Sequence, residues 1–204
     1  MNYGLTVAVE PVEEPVTLAE AQLHMRAEET EDDGYITSLI SAARRRAEDT
    51  MQRAIITQTL TMTLDGFPIG FDGGSYETPA INLPRSPVQS VSAIRYIDDA
   101  GAQQTLATSR YRVDVTRLVA RITPAYADYW PTTRPITSAV EVDFIAGYGL
   151  RASVPPEIRQ AIMIMAGTWY ESREDVAYGT FVSSVPRSAA FLLSGHRVAR
   201  VAGS

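Results

Sequence analysis

The chain has no cysteine, no lysine and only two histidines. Without cysteine there are no disulfides, thiolate metal sites or cysteine nucleophiles, although the redox compartment stays open. Its longest unbroken apolar stretch, about Ala161 to Gly167, is far short of the ~20 residues a membrane span needs. The start, Met1-Asn2-Tyr3-Gly4, has no basic region followed by a long apolar run, so the chain reads as one made in the cytoplasm without a signal peptide or membrane contact. Neither His24 nor His196 belongs to a ligand or nucleophile motif. No G-x-S-x-G, G-x-G-x-x-G, Walker-type loop or H-E-x-x-H is present. Gly70-Phe71-Asp72-Gly73-Gly74 lacks the lysine that a phosphate loop requires and does not join a strand to a long helix. Asp32/Asp33 and Asp98/Asp99 sit where caps and turns need carboxylates, which accounts for them without acid–base catalysis. The sequence therefore implies no catalytic residues, no cofactor and no metal.

The 18 basic residues are all arginine, and the net charge is −6. Coding bias in a GC-rich genome accounts for this. So does a need for the planar arginine fork in carboxylate pairing between subunits, and the sequence does not separate the two. Residues 1–33 carry nine acids against Arg26 alone, whereas residues 187–204 carry three arginines and no acid. This is either a solvated acidic face with a basic tail, or an acidic start that meets the basic end of another copy head to tail. On the second reading, charge reversal at Glu13, Glu14 and Arg197 should alter self-association. Sequence-specific nucleic-acid recognition is disfavoured: Arg44, Arg45 and Arg46 point in different directions around one helical turn, and no aromatic residues interleave with them. A mildly acidic wall suits DNA that slides past without sticking.

At 204 residues, 45% apolar and 21% charged, the chain can bury a real core. Thr17-Leu18-Ala19-Glu20 is a capping box, which predicts a helix of two to three turns to about Arg26. Asp32 or Asp33 suits the start of a second helix, with Ile36, Leu39, Ile40, Ala43, Ala47 and Met51 as its buried stripe. Arg44 and Glu48 then form an i,i+4 pair, worth about 0.2–0.5 kcal/mol if exposed. From Ile55 the period changes to two: Gln58, Leu60, Met62 and Leu64 face one way and the intervening threonines the other. Strands are predicted over Ala80–Leu83, Val91–Ile97, Gln103–Leu106, Tyr111–Asp114, Val119–Thr123 and Ala139–Ile145, with a hairpin turn at Asp98–Gly101. Asp65–Pro79 reads as a long loop. Pro155-Pro156 opens a last long helix whose stripe is Ile158, Ala161, Ile162, Met165 and Trp169. Residues 178–186 read as linker, Ser188–Ser194 as a short helix with Gly195 as C-cap, and His196–Ser204 as a mobile basic end.

The pattern implies an α+β fold: a small helical bundle interrupted by an antiparallel β insertion, with a C-terminal helix and tail. The expected division is 1–54 for the first helices, 55–150 for the β insertion, 151–177 for the helix that completes the bundle and 178–204 for the linker and end.

Several phrases in order carry a resemblance across about residues 12–195. They are Pro15-Val16-Thr17-Leu18-Ala19-Glu20-Ala21, Ile40-Ser41-Ala42-Ala43-Arg44, Arg53-Ala54-Ile55-Ile56-Thr57-Gln58-Thr59 and Leu83-Pro84-Arg85-Ser86-Pro87-Val88-Gln89-Ser90-Val91. Tyr129-Trp130-Pro131, Phe144-Ile145-Ala146-Gly147-Tyr148-Gly149, Val154-Pro155 with Ile158-Arg159-Gln160-Ala161, and Trp169-Tyr170-Glu171 follow. Together they resemble the tailed-phage head–tail connector (adaptor, or head-completion) family, which gene transfer agents also use. The resemblance implies a homo-oligomeric ring, usually twelve-fold, beneath the portal protein in a particle neck. Such a ring extends the channel for non-specific passage of double-stranded DNA and docks the next neck component, a stopper or tail terminator. The alternatives are a non-enzymatic accessory or regulatory partner-binding protein, or a tail or baseplate component.

Within this reading, residues 178–201 are the expected portal-docking segment, with Phe191, Leu192 and Leu193 as an apolar knob and Arg197 and Arg200 as its charges. Truncation after Tyr178 should then abolish portal binding yet leave the subunit folded. Arg44, Arg45, Glu48, Glu171 and Glu174 are the expected contacts between subunits.

Overall fold

The computed structural model describes residues 3–27, 30–69, 79–172 and 185–198. Its helices are α1 (Leu18–Met25), α2 (Asp33–Met51), α3 (Pro156–Glu171) and α4 (Arg187–Ser194). Its strands are β1 (Gly4–Val9), β2 (Gln58–Leu64), β3 (Ile81–Asn82), β4 (Val88–Ile97), β5 (Gln103–Thr105), β6 (Tyr111–Asp114), β7 (Arg121–Pro124) and β8 (Val140–Ala146). The fold is α+β and divides into two compact units. One contains Thr57–Gly147 with the N-terminal strand; the other contains Pro11–Ile56 and Tyr148–Val198.

The helical unit begins with the predicted capping box. Glu20 N–H donates to the Thr17 hydroxyl at 3.1 Å, and Thr17 N–H donates to the Glu20 carboxylate at 2.8 Å. That backbone donor, with the Arg159 guanidinium, holds the Glu20 pKa below its ordinary value. α1 and α2 both end in a left-handed residue, Arg26 and Gln52, whose backbone N–H turns back to the last helical carbonyls. Ile36, Ile40, Ala43, Ala47 and Met51 of α2 meet Ile158, Ala161, Ile162 and Met165 of α3 in one core. Burying each large aliphatic side chain contributes about 1.5–3 kcal/mol.

α4 adds Ala189 and Leu193 to the same core, both almost fully buried. The sequence implies a mobile end from His196; through Val198 the structure corrects this. Val198 is buried and its N–H donates to the Met51 carbonyl at 2.9 Å, while the Arg53 guanidinium donates to the His196 carbonyl. Residues 199–204 and 178–184 of the expected end and linker lie outside the described residues.

The β unit holds a five-stranded antiparallel sheet in the order β1-β2-β8-β4-β5 and a three-stranded sheet in the order β3-β7-β6. Period two in β2 is realised as read: Gln58, Leu60, Met62 and Leu64 are buried and the threonines half-exposed. β2 pairs with β8 without a break, from Gln58 opposite Ala146 to Leu64 opposite Val140. The Asp98–Gly101 turn is closed by Gly101 N–H on the Asp98 carbonyl at 2.8 Å, with glycine at φ +87°. β1 is an addition that the sequence pattern did not flag. It is an edge strand with an irregularity between Val7 and Val9, a common way of blunting an edge. Of the long loop, residues 70–78 lie outside the described residues.

Candidate assembly surfaces

Contacts with other chains are made by the side chains left outside a subunit's cores, so the arginines that the fold itself consumes must first be set aside. Three of them pin the segment that precedes α1. Arg151 donates to Glu13 (2.8 Å) and to the Glu14 carbonyl (3.0 Å), and its backbone N–H reaches the second Glu13 oxygen at 2.7 Å. Arg159 donates to the Pro15 carbonyl (3.1 Å) and to Glu20. Arg44 lies between Glu14 (2.8 Å) and Glu48 (3.1 Å), and the other Glu48 oxygen accepts the Ile55 N–H at 2.8 Å. Arg44 and Glu48 are only 3% and 7% exposed, which corrects the expectation of an exposed i,i+4 pair. Both are interior groups that hold the segment before α1 and the chain after α2 to one helix.

Of the other residues expected between subunits, Arg45 and Glu171 are exposed, whereas Glu174 lies outside the described residues. Among those expected at the portal, Phe191 is 79% exposed and Arg197 is exposed, Leu192 is half-buried and Leu193 is core. Arg200 lies outside the described residues. The apolar knob is thus reduced to one outward ring. A truncation after Tyr178 would take Ala189 and Leu193 out of the core and bare the apolar side chains they cover.

A hollow of about 140 Å³ is lined by His24, Met25, Ile164, Gly167, Thr168 and Glu171. Gly167 is buried there, and its missing side chain lets the His24 ring pack against the helix: a Cβ would stand 3.3 Å from that ring. The Thr168 hydroxyl already donates to the Ile164 carbonyl at 2.8 Å.

The β unit presents a surface that the sequence reading missed. Arg110 makes a two-pronged bond to Asp128 (2.9 and 2.7 Å), whose carboxylate also accepts the Tyr129 N–H at 2.8 Å. These donors bring the Asp128 pKa down to about 2. Trp130 stacks on Phe67 at 4.9 Å and its indole N–H donates to the Pro79 carbonyl at 2.9 Å. Tyr129 between these anchors and Tyr126 just before them project outward, 81% and 94% exposed. Rigidly held exposed tyrosines are typical of protein contact surfaces. Arg110 and Asp128 are 18 residues apart, so local spacing carries no signal for this arrangement.

Among the described residues no three His, Asp or Glu side chains converge as metal ligands, and no helix is long and apolar enough to cross a membrane.

Over residues 15–119 the sequence matches the family described as "Phage gp6-like head-tail connector protein". Among solved structures, a chain of "Neck of empty GTA particle computed with C6 symmetry" is 26% identical, with a TM-score of 0.75 over 100% of this chain and 99% of that one. A chain of "Virion of native gene transfer agent (GTA) particle" is 25% identical, with a TM-score of 0.76 over 98% of each chain. A chain of "Neck of native GTA particle computed with C12 symmetry" is 26% identical, with a TM-score of 0.70 over 100% of this chain and 99% of that one. No curated protein matches significantly.

Proposed function

The chain belongs to the phage gp6-like head–tail connector family, and from that premise we propose that it builds the adaptor ring beneath the portal of a tailed phage or phage-like particle. It is a structural neck protein, and its action is geometric: complementary surfaces repeated around an axis end one assembly and begin the next. The ring has twelve copies, extends the DNA channel, binds the portal protein on one side and receives a stopper or tail terminator on the other. DNA passes without base-specific contact, and no turnover is involved. The helical unit, Pro11–Ile56 with Tyr148–Val198, carries the ring, and the β unit, Thr57–Gly147 with the N-terminal strand, supports its rim.

The observation that carries this reading is full-length likeness: both chains are spanned almost completely in the match to a neck with C12 symmetry. Portal docking is assigned to the basic end of the chain, Arg197 with Arg200 beyond it. Leu193 is removed from that role because the core holds it. Arg45 and Glu171 remain the proposed contacts between subunits. Arg44 and Glu48 leave that set as interior groups, and Glu174, one helical turn beyond Glu171 in sequence spacing, stays in it as proposed.

An in-frame deletion of the gene followed by electron microscopy of the particles tests the role. Separate heads and tails, with heads empty or leaking DNA, are the expected outcome. Normal tailed particles would overturn the adaptor reading in favour of an accessory protein.

A further inference from the structure

β6 is the outermost strand of the order β3-β7-β6, and among the described residues no strand pairs with its far edge. The register with β7 sorts its side chains between two faces. Tyr111 and Val113 stand opposite Pro124 and Ile122, which are buried, whereas Arg112 and Asp114 stand opposite Thr123 and Arg121. Tyr111 is buried, yet Val113 on the same face is 37% exposed, Val115 two residues on is 40% exposed and Leu118 is 58% exposed. A row of apolar side chains therefore runs out past the last strand. The backbone that carries it is tied down. Asp114 accepts the Thr116 N–H at 3.2 Å and the Thr116 hydroxyl at 2.7 Å, and the Ser86 hydroxyl donates to the Leu118 carbonyl. The Leu83 N–H donates to the Ala120 carbonyl at 2.8 Å. Apolar groups already held in place lose little freedom when a partner covers them.

The other face is basic. Arg112 is exposed and makes no ion pair among the described residues, while Arg117 and Arg121 share Asp114 at 3.3 and 3.5 Å. Three arginines stand against one carboxylate on a chain whose net charge is −6. A free edge with apolar side chains on one face and arginines on the other matches an extended strand in which apolar and acidic residues alternate. Backbone hydrogen bonds would continue the sheet, the apolar side chains would cover Val113 and Val115, and the carboxylates would meet Arg112 and its neighbours. DNA suits this edge less well, because phosphates would engage the arginines and leave the apolar row in water.

We propose that the free edge of β6 docks an extended segment of alternating acidic and apolar residues from the neck component that follows this ring. The assignment rests on the adaptor reading above, which gives the portal to the basic end of the chain and leaves the β unit for the partner on the other side.

Particles carrying Val115→p-benzoylphenylalanine are irradiated, and the proteins joined to this chain are identified by mass spectrometry. The expected adduct joins this chain to a neck protein that is neither the portal nor a second copy. Adducts with the portal, with this chain itself or with DNA, or no adduct although the chain is present in the necks, would overturn the inference and leave the adaptor reading standing. Normal tailed particles after deletion of the gene would overturn both. A second measurement needs no photochemistry. The Arg112→Glu/Arg117→Glu variant should lower the yield of tailed particles by about tenfold or more, because acids then face acids. Its heads should still carry this chain on the portal. Arg112→Lys/Arg117→Lys, which keeps the charge, should stay within about twofold of wild type. An undiminished yield from the glutamate variant would overturn the docking, as would heads that have lost this chain together with their tails.

Discussion

Arg44 shows how one side chain can tie distant parts of a sequence together. Its guanidinium is shared between Glu14, thirty residues before it, and Glu48, one turn ahead, and Glu48 in turn accepts the Ile55 N–H. Removing one partner from a buried charge pair costs about 3–5 kcal/mol, because the charge left behind is poorly compensated. Glu48→Ala should therefore destabilise the protein by about that amount in equilibrium urea unfolding. Glu48→Gln should lose less, since the amide oxygen still accepts from Ile55. A loss below about 0.5 kcal/mol for Glu48→Ala would return the pair to the exposed class.

Asp128 provides a residue-scale test that depends on pH. Its pKa is brought down to about 2, first by the Arg110 side chain and then by the Tyr129 N–H, whereas a free aspartate titrates near ~3.9. A depressed pKa means that the carboxylate supports its loop fully above the unfolded value, and that this support is lost as pH falls through about 2. The protection factor of the Tyr129 amide, its exchange corrected for the intrinsic pH dependence, should thus fall between about pH 4 and pH 2. In Asp128→Asn the protection factor should be low at every pH and flat across that window. A wild-type profile without a step there would remove the anchor.

At the scale of elements, α4 is both core and surface, and the two roles separate residue by residue. Leu193→Ala should cost about 2–5 kcal/mol, measurable as a fall in melting temperature. Phe191→Ala should leave the isolated subunit within about 0.5 kcal/mol of wild type. Equal losses would mean that both side chains are core. Three consecutive apolar residues on a helix point about 100° apart, so Phe191, Leu192 and Leu193 could never share one face; only the packing decides which of them is inward. The same limit separates what was legible in this sequence from what was not. α1 and α3 follow from their own caps, Thr17 with Glu20 and Pro155-Pro156, and β2 from its alternation. These are signals between residues one to four apart. β1 alternates Leu5, Val7 and Val9 with Thr6 and Ala8, but every one of its residues except Leu5 is exposed, so its alternation marks no buried face. The tyrosine surface depends on Arg110 meeting Asp128, and the hollow on α1 meeting α3. Both are products of tertiary packing, to which local spacing is blind.

At the scale of the whole molecule, the acid-rich first 33 residues look in sequence like a free negative lobe for another copy's basic end. Packing alters that picture. Glu13 is held by Arg151, Glu14 by Arg44 and Glu20 by Arg159, all within one unit. Those carboxylates fix how the chain enters its helical bundle and are not left over for a neighbour. The Glu13→Arg/Glu14→Arg double variant should therefore fail at folding rather than at association. It places two new cations beside Arg151 and Arg44 and releases the segment from α2 and α3. Because Arg44 is almost fully buried, salt screens that repulsion poorly. The expected outcome is a subunit whose melting temperature falls at both low and high ionic strength. If the variant instead folded with wild-type stability and lost only the salt dependence of its self-association, Glu13 and Glu14 would be contacts between copies. The Arg44 and Arg151 pairs would then contribute little to the fold.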